Sequence, residues 1–323
     1  MQKVIYCFIF IFITAGAGAQ DSVNNHAATI DSAAILKDLM SLLGNIEPTS
    51  YASVEIGAGN RLFSIHNNRI NSRETSVNTI VFTPVIGYFH KSGFSLSAGA
   101  YLMNQNEKGF AASQYTITPG YDLLNNDRFA FSVSYTHSFV KDKFSPYASP
   151  VQNDFYTALV YKKSWIQPGL ALGYSTGTYG EYFEKDTVIL GRSLLLYDSM
   201  SNHLKSFSVM VSASHDFKWN KVFGTDDALF IQPSLVLNMA SSSINLTHNT
   251  NAPNLINRLL KRGRLPLLVT NGFKAESAGL NLNCNYSLGD FSLSPQVYLD
   301  YYLPETDSKR FNQSYSFTIG YTF

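Results

Sequence analysis

Charge is scarce in this chain of 323 residues. Only 15% of it is Asp, Glu, Lys or Arg, against about a quarter in ordinary soluble domains. Lys and Arg number 24 against 23 Asp and Glu, so there is no cationic surplus with which to hold a nucleic acid. Cysteine is nearly missing, with 2 residues, Cys7 and Cys284. The 7 histidines form no cluster and have no cysteine pair beside them, so neither a metal site nor a cofactor is expected. After residue 19 there is no apolar run of the roughly 18 residues that a membrane-crossing helix needs. A helical membrane bundle is therefore excluded. Aromatic residues are plentiful: Tyr 20, Phe 23, and 14% of the chain with Trp included. Mean hydropathy is -0.05. This excludes a disordered chain and suits strands that alternate apolar and polar residues.

The first 19 residues read as a sorting signal. Lys3 is the charged start, Val4 to Ile13 the apolar stretch, and Ala17-Gly18-Ala19 the small-residue cleavage pattern, giving a mature chain from Gln20. Val4 to Ala19 falls short of a spanning helix. Removing Lys3 and no acid leaves 23 Lys and Arg, one fewer than 24, against 23 acids, for a net charge of zero. Cys7 departs with the signal, so an internal disulfide is impossible. In residues 20–49, Asp31 or Ser32 can cap a helix and Gly44 can end it. Ile35, Leu36, Leu39, Met40, Leu42 and Leu43 form an apolar stripe at helical spacing. The stripe fits the lumen of a barrel, the inner leaflet or a periplasmic partner.

From residue 50 the dominant signal has period two. At the C-terminus Tyr315, Phe317, Ile319, Tyr321 and Phe323 share one face, and Ser314, Ser316, Thr318, Gly320 and Thr322 the other. The same alternation runs through 291–302, 272–287, 228–240, 205–217, 166–176, 127–139, 109–122, 93–103 and 78–89. It is weaker at 51–59 and least clear at 153–162. Twelve strands result. The apolar faces carry almost no charge, and the polar faces are Ser, Thr, Asn, Gln and Gly rather than Lys and Glu. A sandwich would put charge on its wet face. A transmembrane antiparallel up-and-down barrel, with lipid outside and polar groups inside, explains both faces.

Connector lengths are consistent with that. They alternate long and short, with long connectors at 60–77, 140–152, 177–204 and 241–271. Twelve strands then place both chain ends on the short-turn side. Five apolar-x-Pro patterns, at Pro84, Pro119, Pro168, Pro233 and Pro295, are expected to form an outward ring near that rim, where a missing ladder donor does least harm.

On the signal ending Ala17-Gly18-Ala19, the alternating strands and the closing Tyr315 to Phe323, the chain resembles the outer-membrane β-barrel proteins of Gram-negative bacteria. The resemblance covers residues 50–323 and specifies no subfamily. It implies an outer-membrane location with periplasmic termini, contact with outer-membrane lipid and lipopolysaccharide, and recognition of Phe317, Ile319, Tyr321 and Phe323 by the barrel-assembly machinery.

The expected inward charges are Glu55, Asp122, Asp216 and Asp300, with Glu55 nearest mid-membrane. A carboxylate at that depth must be hydrated, paired or part of a water-filled path. Loop 242–271 carries Arg258, Lys261, Arg262 and Arg264 and no acid. It suits lipopolysaccharide headgroups, anionic solutes or an inward constriction. Glu55, Asp300, Arg258, Lys261, Arg262 and Arg264 are therefore the lumen and constriction candidates. The leading reading is a porin-like conduit for small solutes. The alternative is a non-conducting surface protein whose loops bind a ligand or partner. A lipid-modifying enzyme ranks a distant third. Twelve-stranded outer-membrane phospholipases use a His-x-Ser-Asn-Gly pattern, and His137-Ser138-Phe139 lacks its spacing, so no catalytic residue is assigned.

Overall fold

The computed structural model describes residues 49–60, 80–105, 109–145, 147, 149–189, 192–250, 268–304 and 310–323. The sorting signal, the expected helix at 31–44 and the four cationic residues of loop 242–271 lie outside the described residues. The strand segments run in chain order as β1 Tyr51–Gly59, β2 Val81–Phe89, β3 Phe94–Gln105, β4 Gly109–Asp122, β5 Phe129–Val140, β6 Asn153–Tyr161, β7 Gln167–Ile189, β8 Arg192–Ser214, β9 Phe217–Asn220, β10 Asp227–Thr250, β11 Leu268–Leu288, β12 Phe291–Tyr302 and β13 Phe311–Thr322.

Each segment pairs antiparallel with its neighbours, and β1 closes on β13. Segments β8 and β9 both pair with β10 and act as one stave interrupted at 215–216. The wall is thus a closed barrel of twelve staves. Closure leaves no open sheet edge, which hydrocarbon would not tolerate. The first and last strands meet in the wall, where Phe323 N–H donates to the Ala52 carbonyl at 2.9 Å.

Register fixes the faces. Ser53, Glu55 and Gly57 oppose Thr322, Gly320 and Thr318 on the inner face. Val54, Ile56 and Ala58 oppose Tyr321, Ile319 and Phe317 on the outer face. On β10 the outward residues Leu229, Ile231, Pro233, Leu235, Leu237 and Met239 form one apolar stripe. Its length matches the roughly 9 to 11 residues that a tilted strand uses to cross a bilayer. Leu235, in mid-stripe, is 65% exposed. Such a surface around the whole wall is a lipid face, not a water face.

The rim bearing the chain ends is short and ringed with aromatics. Phe94 packs on Tyr121 with centroids 5.0 Å apart, Phe129 on Tyr161 at 5.3 Å, and Phe291 on Tyr321 at 4.7 Å. Amphipathic rings at this level fit the membrane–water interface. One rim turn, 221–226, is tied down by Asp227. Its carboxylate accepts the N–H groups of Val222 at 2.7 Å, Phe223 at 2.8 Å and Gly224 at 3.0 Å, and the Tyr286 hydroxyl at 3.0 Å. Burial pushes this carboxyl up, but the four donors outweigh it and hold it below the ordinary carboxylate value. The ionised form is the one bound, so the tether is complete above the ordinary carboxylate range and lost as pH falls through the lowered value. Asp227→Ala is expected to speed amide exchange at Val222, Phe223 and Gly224 while the barrel's β-spectrum stays intact. Unchanged exchange would show that the carboxylate does not hold the turn.

The opposite rim departs from the expected lengths. Connector 177–204 is mostly strand: β7 and β8 are 23 residues each. Likewise β10 runs to Thr250 over 24 residues, and β11 begins at Leu268. At about 3.3 Å per residue these staves are roughly 75 Å long, far more than a bilayer requires. Their alternation changes sense above the span, and that reversal hides the strand from a pattern with apolar residues outward. In the span of β8, Val211, Val209 and Phe207 point outward and Ser212 and Ser208 inward. Above it, Lys205 and His203 point outward and Leu204 inward. Leu204, Ile244 and Leu246 form a buried cluster with Val151, Tyr179 and Met200 against it. In water the apolar side of a sheet must turn to its own interior, so the inversion places the upper edge of the lipid belt.

The five prolines do face outward, but they lie at different heights rather than in one rim ring. Pro168 is the second residue of β7, while Pro84 pairs with Ile56 and Pro233 with Leu282 at mid-span. Each coincides with a lapse in one ladder. The β2–β3 register skips residues 83–84, β4–β5 skips 118–119, β11–β12 skips 294–295, and β6–β7 stops at Gly169. At Pro233 the partner stave breaks between β8 and β9. A residue without N–H cannot continue both ladders.

Candidate lumen and mouth

Over β3, β4 and β5 the inner wall is built largely from short polar groups. Ser95, Ser97, Gly99, Thr116, Thr118, Ser132, Ser134 and Thr136 face inward from β3, β4 and β5. Amides take over on the far side, with Asn281 and Asn283 opposite Tyr298 and Gln296. Glu55 stands at the middle of β1, where its neighbours across the ladders are Gly320 and Val85. Ser53 Oγ donates to its carboxylate at 3.2 Å. Gly57, Gly87 and Gly320 leave the wall around it without side chains. A Cβ at Gly320 would meet Ser292 Oγ at 2.6 Å and Glu55 Cγ at 3.4 Å, so glycine there keeps the carboxylate's place clear.

Asp300 faces the same interior but does a different job. It is 2% exposed. The Tyr298 hydroxyl donates to it at 3.1 Å and accepts from Asn238 Nδ2 at 2.9 Å, and Asn238 Nδ2 also reaches Ser277 Oγ at 3.0 Å. This network knits β10, β11 and β12 together near the tall rim. The structure therefore does not bring Glu55 and Asp300 together: one sits at mid-wall, the other next to Asn312 at the start of β13. Asp216 lies at the short rim. It accepts Gln167 Nε2 at 3.1 Å and Gln232 Nε2 at 2.8 Å, with Lys218 Nζ at 3.8 Å.

Two features escaped the sequence reading. Asp154 on β6 faces inward and accepts Ser175 Oγ at 2.5 Å. The strand carries Tyr156, Ala158 and Val160 on its inner face, so no polar stripe marked Asp154 as inward. The other is the stretch 149–152, which packs against β4, β7, β8 and β10 instead of standing clear as a loop. Ser149 N–H donates to Gln114 Oε1 at 3.0 Å, Gln152 N–H to the Thr176 carbonyl at 3.0 Å, and Gly180 N–H to the Lys143 carbonyl at 2.7 Å. Gln152 Oε1 also receives the Thr178 N–H. Val151 rests on Leu204, Ile244 and Leu246. Close approach is possible because position 177 is glycine: a Cβ there would lie 2.0 Å from the Pro150 carbonyl oxygen. Beside this segment, burial pushes the Glu181 carboxyl up.

The C-terminal residues Phe317 and Ile319 point outward at 42% and 48% exposure, on the stave that completes closure. No family model matches the chain, and no curated protein matches it. Solved structures similar to it include the NanC porin, at 9% identity over 84% of this chain and 98% of that one, with a TM-score of 0.34. A bacterial polysaccharide outer membrane secretin is 8% identical over 86% and 100%, with a TM-score of 0.35. The translocator domain of the autotransporter NalP from Neisseria meningitidis is 8% identical over 95% and 99%, also at 0.35. These neighbours are outer-membrane β-barrel proteins, the class the sequence resembles. The chain's own closed wall and lipid face carry the fold assignment.

Proposed function

We propose that this protein is a passive conduit for small polar solutes across the outer membrane, with both termini periplasmic and the tall rim outside. The observation that carries the reading is the closed wall with hydroxyls, amides and glycines inward around Glu55. A channel must replace part of a solute's hydration shell, and a wall of short polar groups does so without filling the bore. Glu55 would favour cations at mid-wall. Arg258, Lys261, Arg262 and Arg264 would act as an electrostatic filter above the mouth and as contacts for lipopolysaccharide. Phe317, Ile319, Tyr321 and Phe323 would be read by the assembly machinery.

The purified full-length protein in a planar phosphatidylcholine bilayer is expected to give discrete current steps. Glu55→Gln is expected to lower the cation-to-anion permeability ratio and leave the barrel intact. A silent membrane containing verified folded protein contradicts the conduit. The packing of residues 149–152 against the upper inner wall favours a second reading, a surface protein anchored by its barrel, and persistent silence after that stretch is loosened would support it.

A further inference from the structure

We propose that the outer surface of β5–β8, at the upper edge of the lipid belt, is a binding site for the phosphate of a membrane lipid headgroup. Two adjacent rows define it. The lower row is aromatic: Tyr135 pairs with Phe155, Phe155 with Tyr174, and Tyr174 with Phe207. All four rings point outward and are between 40% and 47% exposed. Directly above, in the same register, His137 pairs with Asn153, Asn153 with Thr176, and Thr176 with Lys205. One step higher, Thr178 pairs with His203. Neighbouring strands are about 4.8 Å apart, so each row extends roughly 15 Å across four staves.

The polar row is ordered before any ligand arrives. Tyr135 OH donates to Asn153 Oδ1 at 2.7 Å, and His137 Nδ1 lies 2.9 Å from the same oxygen. An amide oxygen only accepts, so Nδ1 is the protonated nitrogen and Nε2 is turned away from Asn153. Asn153 Nδ2 reaches Thr176 Oγ1 at 3.4 Å, and Thr178 Oγ1 and His203 Nδ1 are 3.0 Å apart. Lys205 and His203 are exposed. The outward positions of these rows on β5–β8 contain no Asp or Glu. Just above β5, Lys141 adds a second ammonium, while Lys143 lies over the Phe144 ring at 5.3 Å. Asp142, above β5 and on the side away from Lys205, accepts the Phe144 N–H at 2.9 Å.

Charge and depth together select the occupant. Acyl chains lie against the aromatic row, since those rings point out from the wall into the apolar belt. A headgroup phosphate at the β7–β8 end of the polar row then meets the Thr176 and Thr178 hydroxyls, the His203 imidazole and the Lys205 ammonium, with no carboxylate among the outward positions of these rows, a pattern that complements phosphate. A free inorganic phosphate would use the upper row alone and gain nothing from the rings. The proposal rests on the membrane placement of the barrel, not on whether the lumen conducts.

The test uses the full-length protein in detergent micelles with equal amounts of phosphatidic acid and diacylglycerol of the same chains, and counts retained lipids by native mass spectrometry. The wild type is expected to retain phosphatidic acid about tenfold better, the value of one charge-assisted contact. The double variant K205Q/H203Q, altered only at exposed positions, is expected to lose that preference. The single K205Q is expected to lose most of it. Lys91→Gln, at the short rim, should change nothing. Equal retention of both lipids by the wild type, or an unchanged preference in the double variant, would overturn the site. Displacement of phosphatidic acid by millimolar inorganic phosphate would overturn its assignment to a lipid.

Discussion

Leu235→Arg is expected to destabilise the barrel in a phosphatidylcholine bilayer by about 2–4 kcal/mol, whereas Asn245→Arg on the same outer face of the same stave should cost under about 1 kcal/mol. The two positions belong to one outward series on β10. Leu235 is in the middle of the apolar stripe from Leu229 to Met239, and an arginine there must drag its charge toward an interface or thin the membrane. Asn245 stands beyond the inversion, opposite His203, where the outward face is already polar and wet. Urea titration of refolding into vesicles measures both. Equal costs at the two sites would mean that the inversion does not mark the membrane boundary.

Gly177→Val is expected to release residues 149–152 from the upper inner wall. Its Cβ would fall 2.0 Å from the Pro150 carbonyl oxygen, with Gln152 N at 2.8 Å. Neither backbone atom can rotate away as a side chain tip would. The segment must shift, and overpacking of this kind costs about 1–3 kcal/mol. The ties from Gln152 to Thr176 and Thr178, and the contact of Val151 with Leu204 and Ile244, should then break together. Faster amide exchange at Ser149, Val151 and Gln152, with unchanged protection in β10 through β13, is the expected result. In a conducting barrel the variant should also pass larger current. Retained protection at Val151 would show that glycine is not what lets this stretch pack against the wall.

Much of the barrel was legible because its staves obey one simple rule within the lipid. Large apolar groups such as Leu280, Leu282 and Ile319 alternate with Asn281, Asn283 and Thr318, and period two announces strand, face and closure together. The extension above the membrane was not legible for the same reason. At Lys205, His203 and Leu204 the alternation persists with its sense reversed, so a search for outward grease ends the strand too early. The face of each proline follows from parity, but its height depends on strand tilt, which parity does not encode. Glu55 could be recognised from its short neighbours. Asp154 could not, since Tyr156, Ala158 and Val160 share its face. The packing of residues 149–152 depends on contacts between residues distant in sequence, Ser149 with Gln114 and Pro150 with Gly177, and no local pattern encodes it.

Site-directed spin labelling reaches the central claim most directly. With Cys284 replaced by Ser, single labels at positions 280, 282, 317 and 319 of the vesicle-embedded protein should collide readily with oxygen and poorly with a water-soluble nickel chelate. Labels at the inward positions 281 and 316 should show less preference for oxygen, and one at 245, above the belt, should favour nickel outright. Nickel access at 280, 282, 317 and 319 equal to that at 245 would contradict a lipid-facing outer wall and with it the transmembrane barrel.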